Sequence, residues 1–209
     1  MNLPKWPKLA GLFAIVGGTL ALLLTLPFAA AYFIAYPGFE ATPFWFEPML
    51  PTLQPMLGFG TAVDVYNTYG RIYNAVYLFL LPAALAVHAV HRAASSRWET
   101  WGFVLTVTGL VASLIGVAGD YWANGVGFLL EFPALLVLSV GCGLTGIAAR
   151  RSRIIPAWCA WLLILCMPAY VLALILIVHI PTGPTFAVAV AYLGVGYLLL
   201  TGRVGQRVA

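Results

Sequence analysis

The sequence predicts an all-α polytopic membrane protein: a six-transmembrane-helix bundle with an interfacial segment between helices 1 and 2. Three observations carry the prediction. The 209 residues are 63% hydrophobic and only 8% charged, with mean hydropathy +0.99. A soluble domain carries about 25% charged residues, so this chain has too few charges to cover a water-exposed surface. Six apolar runs, at about 9–36, 70–93, 100–120, 125–149, 156–180 and 184–202, are each long enough to span a hydrocarbon core, which takes about 20 residues. Finally, the charges alternate along the chain. Lys5 and Lys8 precede the first run. Arg92 and Arg97 lie between the second and third, and Arg150, Arg151 and Arg153 between the fourth and fifth. Arg203 and Arg207 follow the last. Glu40, Glu47, Asp64, Asp120 and Glu131 occupy the intervening stretches, with Arg71 and Glu99 the exceptions. Such a pattern is the positive-inside signature, and it puts both termini in the cytoplasm.

The chain reads as one membrane domain over residues 1–209. Inside a bilayer each run must satisfy its own backbone polar groups, so all six are expected to be helices. The first run resembles a secretory signal through Lys5, Lys8 and Ala29-Ala30-Ala31. It continues through Tyr32, Phe33 and Ile34, so an uncleaved helix is expected, kinked at Pro27. Residues 37–69 form the one long joint. Pro43, Pro48, Pro51 and Pro55 argue against one continuous helix there, while Phe39, Phe44, Trp45, Phe46, Met49, Leu50 and Leu53 make it too apolar for a solvated loop. Short helical pieces at the outer interface, packed over the bundle, are expected. The second and fourth runs echo each other, YLFLLPAALA at 77–86 against FLLEFPALLV at 128–137, with Pro82 matching Pro133. Each opens a hairpin that turns at an arginine cluster, as two parallel repeats would. Gly17 and Ala21, then Gly109, Ser113 and Gly116, then Ser139, Gly143 and Gly146 recur at spacings that let helix backbones approach closely.

Several function classes lack support. The sequence pI near 9.1 comes from the cytoplasmic arginines and reads as orientation and lipid contact; nucleic acid is not an expected partner. Cys142, Cys159 and Cys166 lie inside apolar runs and form no CxxC pair. GCGLTG at 141–146 matches GxGxxG but lies in an apolar span with no strand before it, so helix packing is the expected role. No GxSxG or Walker motif occurs. His88 and His91 lie at the opposite side of the membrane from His179, which disfavours a bis-histidine haem. His91 reads as an interface residue and His88 as capped by a backbone or hydroxyl group. No metal or other cofactor is expected.

Glu131 is the side chain that most demands an explanation. It is expected about six residues into the fourth helix, roughly 9 Å deep at 1.5 Å per residue. A lone ionised carboxylate there costs several kcal/mol unless it is paired, hydrated or protonated. Asp120, Asp64, His179 and Arg71 are expected near the same outer boundary. Asp64, Asn67, Arg71, Asn74 and Tyr77 recur at three- and four-residue intervals and can share a helical face, from which Arg71 can reach Glu131 or Asp120. The candidate ligand-binding or ion-pairing residues are therefore Glu131, Arg71, Asp120, Asp64, His179 and Asn74, with no residue assigned to catalysis.

The stretch VGFLLEFPALLVLSVGCGLTGIAARR, with WLLILC and HIPTGPTFAVAVAYL after it, resembles multi-pass membrane proteins of high-GC bacteria. It implies a bacterial inner-membrane location and no particular activity. The favoured function is a non-catalytic binding or structural subunit of a membrane assembly, with an outer polar pocket around Glu131. Membrane lipids, protein partners or a second copy of the chain are the expected partners. The alternatives are a small proton-coupled transporter using Glu131 and a membrane enzyme using His179 with the outer acids.

Overall fold

The computed structural model describes residues 5–38, 41–91, 96–123 and 125–204. The sequence assignments for Phe39, Glu40, Arg92 and Arg207 lie outside the described residues. Eight helices make up the fold, with no strand among the described residues: α1 (Lys5–Ala35), α2 (Phe46–Leu57), α3 (Ala62–His91), α4 (Arg97–Trp122), α5 (Phe128–Ser152), α6 (Ala157–Ile164), α7 (Cys166–Ile177) and α8 (Thr182–Thr201). Five are long and apolar enough to cross a membrane, and there are six if α6 and α7, bent by 52° at their junction, count as one span. The spans close into a ring in which α1 packs on α3 and α8, α4 on α3 and α5, and the α6–α7 pair on α5 and α8.

Three features differ from the sequence expectation, each for a physical reason, while the 37–69 joint carries a short helix as expected. The second span begins at Ala62, not near residue 70. Its first turns carry Asp64, Tyr66, Asn67 and Tyr69, which lower the hydropathy without weakening the helix. Thr61 caps it: the Asp64 N–H donates to Thr61 Oγ1 over 3.2 Å and the Thr61 hydroxyl donates to the Asp64 carboxylate. The fifth span is broken at Leu165. Pro168 explains the break, since its ring clashes with the carbonyl of Ile164 and it has no N–H to donate there. The 37–69 joint contains one 12-residue helix, α2, with Pro51 and Pro55 inside it. It buries Leu53, and it is tied to the bundle where the Trp45 indole donates to the Leu176 carbonyl (2.9 Å) and the Tyr69 hydroxyl to the Met56 carbonyl (2.7 Å). Finally, the fourth span starts at Phe128, which puts Glu131 in its first turn. The turn before it is too tight for an earlier start. Gly125 has φ +87°, and a Cβ on Gly127 would lie 1.8 Å from the Gly116 carbonyl oxygen.

The α4–α5 seam is the closest in the molecule. Gly102 faces Thr145, Gly109 faces Leu138, Gly116 faces Glu131, and Gly141 faces Thr106. Gly141 and Gly146 of GCGLTG thus serve packing, with Gly146 against Ala160, while Gly143 has only the Ile164 carbonyl at 3.8 Å. Without a hydrophobic drive between helices, such close approach is what holds two spans together.

The two ends of the ring differ in character. One end gathers the C-termini of α1, α4 and α7 and the N-termini of α3, α5 and α8, and it carries Asp64, Asp120 and Glu131. At the other, Arg150 lies 4.5 Å over the Trp161 ring, Arg151 5.3 Å over Trp98, and Arg203 5.7 Å over Tyr197. Below they are called the acid end and the arginine end.

Candidate functional site

A cleft of about 520 Å³ opens at the acid end, in the size range of ligand pockets. Tyr32 closes it from α1 and Tyr36 from the bend that follows, Tyr66, Asn67 and Arg71 from α3, and Asp120 and Tyr121 from α4. Arg71 is exposed and firmly held. Its Nε donates to the Tyr121 carbonyl (3.1 Å), one of the carbonyls left without an intrahelical partner at the end of α4, and its guanidinium lies 5.2 Å from the Trp122 ring centre. Among the described residues neither Arg71 nor Asp120 forms an ion pair.

The floor of the cleft is aromatic. The hydroxyls of Tyr66 and Tyr121 are 2.7 Å apart, with their rings 5.3 Å apart and steeply inclined. Phe28 lies beneath, fully buried, 5.4 Å from each of those rings and 4.8 Å from His179. Gly70 makes room, because a Cβ there would lie within 2.1 Å of the Tyr121 ring.

Glu131 does not line the cleft; it packs against Gly116 of α4. It is 0% exposed, and neither carboxyl oxygen has a protein hydrogen-bond partner. It lies within electrostatic range of Asp120 and of Tyr66, Tyr73, Tyr77 and Tyr121. The positive N-terminal end of α5 favours a negative charge there.

The other candidates separate. Arg71 does not pair with Glu131; it caps α4 instead. Asp64 is exposed, caps α3 with Thr61 and stays outside the cleft. Asn74 is buried one turn below Arg71, with its Oδ1 unpartnered. Tyr77 bonds the Thr185 hydroxyl (2.8 Å) deeper in the ring. His179 sits in the turn between α7 and α8, its Nδ1 2.9 Å from the Thr182 hydroxyl and its Nε2 without a protein partner. It lines a second chamber of about 280 Å³, which shares Tyr32, Tyr66 and Phe128 with the cleft. Among the described residues no three His, Cys, Asp or Glu side chains converge as metal ligands would.

A second buried polar cluster, at the arginine end, was not anticipated. Glu99, expected only as a charge exception, pairs with His88 Nδ1, and the His88 ring stacks on Phe103 at 3.7 Å. His88 is therefore partnered by a carboxylate, not by a backbone or hydroxyl group. His91 bonds the Ser152 hydroxyl (2.7 Å) and is buried. The signal was present in the sequence: Ser96 and Glu99 have capping-box spacing, and the Glu99 N–H donates to Ser96 Oγ over 3.3 Å.

Fold and site together define a multi-pass helical membrane protein with an aromatic polar cleft at one end. No family model matches this chain, and neither does any curated protein or solved structure.

Proposed function

We propose that the chain is a non-catalytic binding protein of a bacterial inner membrane, with both termini cytoplasmic and its acid-end cleft facing outward. It takes the polar head of an amphiphile, alone or as a subunit of a larger assembly. One observation carries this: the cleft holds a cation and an acid that form no ion pair among the described residues, above an aromatic floor. The rim supports it. Trp122 is 66% exposed, Val126 80% and Leu129 85%, as suits side chains that sit among lipid headgroups. Native mass spectrometry of protein purified in mild detergent tests the proposal. A bound amphiphile or a co-purifying partner is expected; a bare monomer that stays stable without either would overturn it. Cytoplasmic termini predict that thiols engineered at positions 64 and 151 are labelled from opposite compartments.

Glu131 favours a second reading, a small proton-coupled carrier. Its carboxyl is fully buried, has no hydrogen-bond partner among the described residues and does not line the cleft. An intramembrane acid of this kind is what proton coupling requires. Proton flux in liposomes that is unchanged by Glu131→Gln would remove this alternative.

A further inference from the structure

We infer that the head recognised by the cleft is zwitterionic, a phosphate ester beside an ammonium group. This rests on the amphiphile-binding function proposed above and specifies its ligand. The cleft presents charges of both signs from different helices, Arg71 on α3 and Asp120 in the last turn of α4, and they do not neutralise each other. A purely anionic head would leave Asp120 as a repulsive neighbour, and a purely cationic head would leave Arg71 as one.

Arg71 suits the phosphate. One N–H of its fork is committed to the Tyr121 carbonyl and its face is packed on Trp122, so the guanidinium is held in place. A guanidinium fixed in this way still offers donors in a plane that matches phosphate oxygens. The ammonium suits the tyrosines. Tyr32 and Tyr66 have ring centres 5.6 Å apart at 49°, Tyr36 and Tyr66 5.5 Å apart at 85°, and Tyr66 and Tyr121 5.3 Å apart at 70°. Rings at these separations pack directly on one another and leave no space between them, so an ammonium meets their outward faces at the mouth of the cleft, where Tyr36 is 41% exposed. Asp120, beside Tyr121, supplies the countercharge.

The same chemistry occurs in a bilayer lipid head and in a free phosphoethanolamine or phosphocholine. Native mass spectrometry of the purified full chain, titrated with phosphatidylethanolamine or phosphatidylglycerol, tests the inference. Phosphatidylethanolamine is expected to be retained about tenfold better. Arg71→Gln lowers retention of both lipids, and Asp120→Asn abolishes the preference. Tyr36→Leu, at an exposed position where folding is not at stake, also reduces it. Displacement of the lipid by free phosphoethanolamine assigns a soluble source, and resistance to displacement assigns the bilayer; either result keeps the zwitterion. Equal or better retention of phosphatidylglycerol, or a preference that survives both Asp120→Asn and Tyr36→Leu, overturns the inference while amphiphile binding stands. Retention of neither lipid defeats the binding function itself.

Discussion

Glu99 and Glu131 are the same residue type in the same local setting, the first turn of a transmembrane helix, and both are buried. They lie at opposite ends of the α4–α5 hairpin and have opposite surroundings. Glu99 pairs with His88, which in turn stacks on Phe103. Glu131 has no hydrogen-bond partner on either oxygen among the described residues, although Arg71, on α3, lies at the same end. The comparison separates two uses of a buried acid. A helix N-terminus favours negative charge in both places, so the partner makes the difference. At the arginine end, the acid ties α3 to α4. At the acid end, the cation is held at the mouth of the cleft and the acid is left apart from it.

Changes in stability can break this comparison, the largest first. His88→Ala leaves Glu99 buried and unpaired, and a loss of about 3 kcal/mol is expected, read as the thermal unfolding midpoint in detergent. A midpoint within a degree of the parent would show that the pair holds nothing together. Gly109→Val forces a side chain onto the Leu138 backbone between the two glutamates; about 2 kcal/mol is expected, with Gly143→Ala, which faces open space by comparison, close to neutral. Tyr121→Phe removes the hydroxyl contact with Tyr66 and is expected to lower stability by about 1 kcal/mol. Glu131→Gln breaks no bond, and its effect on stability is expected to stay under about 1 kcal/mol. A loss as large as that of His88→Ala would place Glu131 among the structural ties.

The spans were legible because apolar length and charge alternation report directly on a bilayer. Helix starts were less so. Hydropathy registers apolarity, so the amphipathic opening of α3, with Asp64 and Asn67, read as part of the joint although Thr61 and Asp64 mark a cap. Residues 125–127 read as helix because nothing local reveals that Gly127 must press against the Gly116 carbonyl. The candidate residues were gathered at the correct end, but their pairing was not readable. Arg71 and Glu131 look complementary in sequence, whereas the carbonyl of Tyr121 and the Trp122 face capture the guanidinium first. Backbone carbonyls leave no trace in a sequence, and a tyrosine pair joined across 55 positions leaves none either.

A density map of the purified protein in nanodiscs, at a resolution that shows side chains, tests the binding account most directly. The account predicts non-protein density in the cleft between Arg71 and Asp120, above an intact Tyr66–Tyr121 contact. An Arg71 side chain swung down onto Glu131, with the cleft collapsed between them, would contradict it.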